Sequence, residues 1–204
     1  MNITKVRGLR ILGIDPGLEI TGYGVIEAES HKIKLIEAGV IKTSHKQVLQ
    51  DRLIEIYDGI IEVIKETSPG IGIIEKLYSH YKHPVTSILM GHVRGVVYLA
   101  VRKSNMELFE CPAKTVKKAL TGNGNASKEQ VGRMVQAYLN LKEPPSPVDV
   151  SDALALAMSH AFTLKIRRWG HPAGTSCKNR RMSPQSVPTT RGSNDFVYLG
   201  KSRP

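Results

Sequence analysis

Apolar positions divide the chain into a first part built of strands and a second part in which helices alternate with strands. In the first part, apolar runs or alternations over Leu9–Asp15, Ile20–Ala28 and His31–Thr43 predict three β-strands. The strands follow one another closely, which favours an antiparallel meander, because antiparallel neighbours need only short connections.

Helical periodicity begins after the third strand. Apolar residues recur every three or four positions from Leu49 to Ile64, which predicts a helix that ends at Pro69-Gly70. The later predicted elements are two short strands, over Ile71–Glu75 and Glu107–Cys111, and four helices, which run from Pro84 to about Lys103, from Pro112, from the Ser127–Gln130 capping box and from Val148 to about Ile166. This order predicts an α/β fold, a mixed sheet with helices on both faces.

The chain divides into a short leader, one domain and a tail. Residues 1–8 precede the first strand, and residues 9–166 hold all of the predicted strands and helices. Residues 167–204 are dominated by Gly, Pro, Ser, Thr, Asn and Arg without periodicity. Such a composition predicts a tail that stays disordered until something binds it.

Composition excludes several classes of protein. The 204 residues are 41% hydrophobic and include only two cysteines, Cys111 and Cys177, too few for a disulfide framework. The longest apolar stretch, residues 88–101, is interrupted by a histidine and an arginine, and residues 1–10 lack the apolar core of a signal peptide. We therefore expect a soluble cytoplasmic protein that does not associate with a membrane.

The formal net charge of +11 is concentrated in two regions. Residues 76–133 carry ten Lys and Arg against three Asp and Glu, and residues 165–204 carry nine against one. A basic block of this kind is typical of proteins that bind polyphosphates such as nucleic acids. A solvated basic surface without a partner explains the charge alone equally well.

Four acidic residues lie where the predicted fold would bring them together. Asp15 and Glu75 end two apolar strands, and Asp149 and Asp152 lie three residues apart at the start of the last helix. Ligand sites of open α/β sheets commonly lie beyond the carboxyl ends of the strands. An all-carboxylate set suits Mg²⁺ or Mn²⁺, whereas zinc prefers His and Cys.

Each of these acids also has a purely structural interpretation. Asp15 followed by Pro and Gly is a good turn by itself. Glu75 could pair with Lys76, and Asp149 and Asp152 both fit a helix-capping pattern. Only the combination of the four favours a functional site.

That combination resembles the RuvC-type Holliday junction resolvases of the ribonuclease-H-like superfamily. The resemblance covers about residues 9–164 and is carried by segments in the family's order. These are Ile11-Leu-Gly-Ile-Asp15-Pro-Gly-Leu-Glu-Ile-Thr-Gly-Tyr-Gly24-Val-Ile, Ile74-Glu75-Lys-Leu-Tyr78, Gly91-His-Val-Arg-Gly95-Val, Cys111-Pro-Ala-Lys-Thr-Val-Lys117, Gly122-Asn-Gly124 and Asp149-Val-Ser-Asp152-Ala-Leu-Ala-Leu-Ala157.

The resemblance implies a mixed five-stranded sheet and a homodimeric endonuclease that resolves four-way DNA junctions in recombination and repair. Asp15, Glu75, Asp149 and Asp152 match the family's acidic catalytic and metal-binding positions. Two Mg²⁺ ions, for which Mn²⁺ could substitute, would activate water and stabilise the departing 3′ oxygen, leaving 5′-phosphate and 3′-hydroxyl ends. Asp15 is the residue expected to bridge the two ions.

The resemblance also implies DNA-binding and dimer residues. Tyr78 would stack on unpaired bases at the junction centre. Lys117 and Lys128 match family lysines that approach the phosphates. Lys114 and Lys118 lie nearby in the sequence and Lys76 begins the basic, tyrosine-containing segment after Glu75, so these three are further candidates, although lysines on a helix are often simply solvated. Gly91 and Gly95 lie inside a predicted helix, where glycine is unfavourable, so a close neighbour must compensate. That neighbour is either a helix of the same chain or the partner's helix in a homodimer, and the resemblance favours the dimer and implies a RuvA-RuvB branch-migration complex as partner.

Other functions fit parts of this pattern. An actin-like or sugar-kinase phosphotransferase shares the strand-Asp-Gly opening but needs a second related domain, which a predicted domain of this length does not provide. A nuclease of the same superfamily could instead act on RNA or on other branched DNA. A non-catalytic junction-binding module would keep the acids for structure alone.

Overall fold

The computed structural model describes residues 8–29, 32–76 and 84–168, and side chains as far as residue 164. The strands are β1 (Leu9–Asp15), β2 (Ile20–Glu29), β3 (Lys32–Lys42), β4 (Ile71–Glu75) and β5 (Glu107–Cys111). The helices are α1 (Leu49–Thr67), α2 (Pro84–Lys103), α3 (Ala113–Thr121), α4 (Lys128–Leu139) and α5 (Val148–Arg168).

The five strands form one mixed sheet in the order β3-β2-β1-β4-β5. Strands β1, β2 and β3 pair antiparallel, as the meander predicts, whereas β4 pairs parallel to both β1 and β5. Because β1 and β4 are parallel neighbours, their carboxyl ends lie at the same edge of the sheet. That edge carries Asp15 and Glu75.

Alternation along the strands divides the core into two layers. On one face, Leu12, Ile14 and Ile74 pack with helices α1 and α2. On the other face, Ile11 and Ile73 pack with helices α3, α4 and α5. The side chains on both faces are almost completely buried, which confirms the prediction of a mixed five-stranded sheet covered by helices on both sides.

Local sequence signals set the helix ends. Ser127 and Gln130 form the predicted capping box: Ser127 accepts a hydrogen bond from the Gln130 N–H, and Gln130 accepts one from the Ser127 N–H. Helix α3 ends at Gly122, whose φ of 78° is favourable for glycine and strained for other residues.

The predicted elements are present, with small differences at their ends. Helix α3 begins at Ala113 with Pro112 as its N-cap, and α5 continues to Arg168, two residues beyond the predicted end of the domain. Nearly all of the predicted leader, nearly all of the predicted tail, and Tyr78 lie outside the described residues.

Among the described helices, α2 is long and apolar enough to cross a membrane by length and composition alone. Its inner face belongs to the core of this domain, because Val93, Val97, Ala100 and Val101 are completely buried there. Its exposed face is therefore the part of α2 that needs a separate explanation.

Candidate active site

The alternation of β1 and β4 directs their terminal acids to one face of the sheet. Ile14 and Ile74 are register partners, and both belong to the layer packed against α1 and α2. Successive side chains of a strand point to opposite faces, so Asp15 and Glu75 point to the α5 side. The beginning of α5 carries Asp149.

Glycines in β1 and β2 allow α5 to lie directly on the strand backbone. A Cβ atom added at Gly13 would lie 1.9 Å from the carbonyl oxygen of Ala153, and one added at Gly22 would lie 2.2 Å from that of Asp149. Gly22 is also the register partner of Asp15. The absence of a side chain at Gly22 therefore brings the start of α5 next to Asp15.

The four acids interact electrostatically, and the effect is greatest at Asp15. Burial first, and then the charges of Asp152, Glu75 and Asp149, raise the pKa of the Asp15 carboxyl to about 7. Burial and the charge of Asp152 also raise the pKa of Glu75. The four predicted site acids thus converge on one region, in which a full set of negative charges is unfavourable.

A lysine from α4 reaches the same region. Lys128 Nζ lies 2.8 Å from Asp152 Oδ2, with exposed side-chain fractions of 65% and 25%. The hydrogen bond to Asp152 raises the pKa of Lys128, and the lysine charge in turn lowers the pKa values of Asp15 and Glu75. Lys128 therefore partly neutralises the carboxylates.

Two of the other predicted DNA-binding lysines, Lys117 and Lys76, lie close to Glu75. Lys117, half-buried on α3, is close enough for its charge to lower the pKa of Glu75. Lys114 and Lys118 are exposed on α3, and exposed Lys76 follows Glu75 directly. Tyr78 lies outside the described residues.

The glycines predicted at a dimer interface lie on the exposed face of α2. A Cβ added at Gly91 or Gly95 would meet nothing within 4 Å in the described parts of this chain. The same face exposes apolar side chains at Val85, Ile88 and Leu99, to 68%, 61% and 54%. A helix of the same chain thus does not pack on the two glycines within the described ranges, and this alternative is wrong there.

An arginine that the sequence analysis did not select contacts the main chain at the site. Arg94, on the buried face of α2, donates a hydrogen bond to the carbonyl oxygen of Glu75 and a second, of 2.6 Å, to Glu110 Oε1. Sequence reasoning treated Arg94 only as an interruption of an apolar stretch. Its buried position depends on tertiary packing, which periodicity does not specify.

The donor chemistry of the site suits a hard divalent cation. Carboxylate oxygens are the preferred ligands of Mg²⁺, and such a cation would relieve the repulsion that raises the pKa of Asp15. In the part of the chain that the structure describes, no three Asp, Glu, His or Cys side chains already surround one point closely enough to hold a metal ion. Metal binding would therefore have to draw the carboxylates closer together.

A mixed five-stranded sheet with acids at the carboxyl ends of β1 and β4 defines a nuclease domain of the ribonuclease-H-like class. The yeast mitochondrial Holliday junction resolvase Ydc2 has the same fold, with a TM-score of 0.59 at 12% identity over 80% of this chain and 82% of that one. A family model described as crossover junction endodeoxyribonuclease RuvC matches residues 11–160. The chain belongs to the RuvC family and is an endodeoxyribonuclease.

Individual relatives agree with this assignment. The chain is 45% identical to the crossover junction endodeoxyribonuclease RuvC of Rhodopirellula baltica over 148 residues, which are 72% of this chain and 83% of the relative. A structure of Thermus thermophilus RuvC in complex with a Holliday junction substrate gives a TM-score of 0.74 at 31% identity. The match covers 78% of this chain and 96% of that one.

Proposed function

We propose that this chain resolves four-way DNA junctions by paired, metal-dependent nicks in strands of like polarity, leaving 5′-phosphate and 3′-hydroxyl ends. The observation that carries the proposal is the accumulation of carboxylates around the buried Asp15 beside a basic surface: burial first, and then the charges of Asp152, Glu75 and Asp149, raise the pKa of Asp15 to about 7. Carboxylates that repel one another destabilise the folded protein. A site that binds divalent cations next to a phosphate explains why such carboxylates lie together.

In this proposal Asp15, Glu75, Asp152 and Asp149 would hold two Mg²⁺ ions, for which Mn²⁺ could substitute. Bound divalent cations supply Lewis acidity that activates water and stabilises the leaving oxygen in phosphodiester cleavage. The residues of this chain hold and orient that chemistry. Asp15 and Glu75 do so from strand ends, Asp149 does so from the first turn of α5, and Asp152 does so from the next turn.

Lysines on two helices supply the positive side of the site. Lys117 and Lys128 act on the charge state of Glu75, so a phosphate that approaches the carboxylates would also meet two ammonium groups. Lys76, Lys114 and Lys118 would extend this surface along the DNA backbone, where each cation displaces a condensed counterion. Tyr78, carried by the loop after Glu75, remains a predicted stacking partner for junction bases.

The protein is proposed to act as a homodimer through the exposed face of α2. Two strands of like polarity require two active sites related by a two-fold axis. Exposed Val85, Ile88 and Leu99 flank two glycines with open space above them, and this surface would allow close packing of two α2 helices. This exposed face contributes to the high hydropathy of α2, the helix that is long and apolar enough to cross a membrane by length and composition alone.

The cellular setting in this proposal is homologous recombination and DNA repair in the cytoplasm. The RuvA-RuvB branch-migration complex is the proposed protein partner. The support is family membership, since the match of the RuvC family model covers residues 11–160.

A substrate panel tests the proposal. Synthetic four-way junction, linear duplex, single-stranded DNA and RNA, each labelled at the 5′ end, would be incubated with the protein in Mg²⁺ or in EDTA. We expect paired nicks only in the junction and only with Mg²⁺. Preferred cutting of RNA or of a three-way branch would instead support another nuclease of the superfamily, and junction binding without cutting would support a non-catalytic module.

A further inference from the structure

Arg94 is a charged residue in a buried position, where desolvation of the charge is unfavourable. It is on the inner face of α2, its side chain is 8% exposed, and its immediate helix neighbour Val93 is completely buried. The guanidinium is satisfied by three acceptors, which are the Glu75 carbonyl oxygen, Glu110 Oε1 at 2.6 Å and the Tyr98 hydroxyl at 2.9 Å. The Tyr98 hydroxyl also donates a hydrogen bond to Glu110 Oε1.

Stability alone does not require this arrangement. Replacing a buried ion pair by apolar side chains of similar size is often neutral or stabilising, since burial of the charges costs about as much as their attraction returns. The Glu110 side chain is also 40% exposed, so water weakens its attraction to Arg94. The contact of Arg94 that bears on the site is the hydrogen bond to the main chain of Glu75.

The peptide group between Glu75 and Lys76 is held at both ends. Its N–H donates a 2.9 Å hydrogen bond to the carbonyl oxygen of Cys111 on β5, and its C=O accepts from Arg94 on α2. A peptide group is planar, so two bonds in opposite directions fix its orientation. That orientation fixes ψ of Glu75 at the last residue of β4 and thus the direction in which the Glu75 side chain leaves the sheet.

We propose that Arg94 is a positioning residue of the nuclease site: by anchoring the Glu75 carbonyl, it aims the Glu75 carboxylate at the region shared by Asp15 and Asp152. The inference rests on the proposed function, because it assigns Glu75 a role as a metal ligand. Glu110 and Tyr98 hold the guanidinium in place.

The position of Arg94 also connects the site to the exposed face of α2. Gly95, the next residue, lies on that face, so a shift of α2 moves the anchor of Glu75 with it. A dimer that holds two α2 helices together would therefore stabilise the position of Glu75 in both subunits.

Two variants separate positioning from stability. Arg94→Met removes the anchor but leaves the Glu110 carboxylate without its cationic partner, whereas Arg94→Met/Glu110→Gln removes the anchor and the Glu110 charge together. Arg102→Met, at an exposed arginine in the last turn of the same helix, is the matched control. The measurements are the unfolding temperature, Mn²⁺ affinity by electron paramagnetic resonance without DNA, and the junction dissociation constant and single-turnover cutting rate.

We expect the double variant to recover the unfolding temperature of the wild type while its Mn²⁺ affinity and cutting rate stay about 10–100-fold lower, the usual cost of losing a group that orients a metal ligand. Junction affinity should not change. If the double variant recovers stability and Mn²⁺ affinity together, the positioning role is refuted. Should Arg94→Met fold poorly, the double variant decides alone.

Failure of this inference is distinguishable from failure of the proposed function. Junction cutting by the wild type in Mg²⁺ tests the function. Mn²⁺ affinity without DNA tests whether Arg94 positions Glu75. The Mn²⁺ affinity of Asp15→Asn shows how large the loss is when a proposed metal ligand is itself removed.

Discussion

The Nζ atom of Lys128 lies 2.8 Å from Oδ2 of Asp152, so an ammonium group on α4 contacts the acidic cluster at the end of the sheet. The capping box of Ser127 and Gln130 fixes the first turn of α4, and with it the position of Lys128. The lysine therefore neutralises part of the carboxylate charge in the absence of a divalent cation and is also placed to meet a phosphate. Both roles predict that its removal affects the site specifically.

Lys128→Gln should lower the free energy of unfolding of the metal-free protein and slow junction cutting. Loss of the ammonium leaves Asp15, Glu75 and Asp152 without the charge that lowers two of their pKa values. The free energy of unfolding at pH 8 in EDTA should fall by up to about 1 kcal/mol, because the pair is partly exposed. Lys65→Gln, an equal charge change at an exposed site on α1 outside the proposed DNA-binding surface, is the control. Equal effects of the two substitutions on stability and cutting would contradict a specific role for Lys128.

Asp15→Asn should change how stability depends on pH. The carboxyl has an ordinary pKa of 3.8 and one of about 7 in the folded protein, so between these values the folded chain holds a proton that the unfolded chain has lost. The stability that neutral Asp15 contributes is complete below pH 3.8 and is lost as the pH rises through 7. In EDTA, the unfolding temperature of Asp15→Asn relative to wild type should therefore rise from pH 4 to 7 and then level off.

Glu19→Gln, at an exposed acid four residues further along, serves as control for that experiment and should track the wild type across the same range. A constant difference between Asp15→Asn and the wild type from pH 4 to 8 would mean that Asp15 titrates normally and that the acids do not interact.

Gly22→Ala should disrupt the site through the backbone. The new methyl group would lie 2.2 Å from the carbonyl oxygen of Asp149, so α5 has to move away from β2. Overpacking of this kind costs about 1–3 kcal/mol, and the shift should also separate Asp149 from Asp15 and reduce cutting. Gly70→Ala is the control, since its added Cβ would be in ordinary contact distance of its neighbours, 3.4 Å from the Leu9 side chain and 3.9 Å from the Arg10 carbonyl oxygen. Wild-type cutting by Gly22→Ala would show that close contact of α5 with β2 is unnecessary.

Gly95→Leu should separate the proposed dimer without unfolding the chain. An added side chain at Gly95 meets open space in the described structure, and leucine favours helix over glycine by about 1 kcal/mol. We therefore expect a folded monomer in size-exclusion chromatography with light scattering. Glu62→Leu places the same side chain on an exposed position of α1 and should leave the mass unchanged. A Gly95→Leu protein that remains a dimer would exclude this face as the interface.

The sequence was sufficient to predict features that depend on local periodicity. Apolar runs and alternation predicted the five strands, and apolar residues spaced three or four positions apart predicted helices such as α1. The position of Asp15 and Glu75 at strand ends follows from two apolar runs that each stop at an acidic residue. The roles of Gly22 and Arg94 could not be predicted in this way. Each depends on how closely one element packs on another, a tertiary distance that leaves no period in the sequence.

The most direct test of the central claim compares binding and cutting of one labelled four-way junction by wild type, Asp15→Asn and Glu19→Gln in Mg²⁺. If Asp15 lies at the centre of a metal-dependent carboxylate site, Asp15→Asn should bind the junction with the affinity of the wild type and cut it at no measurable rate, while Glu19→Gln cuts normally. Cutting by Asp15→Asn at the wild-type rate would contradict the account.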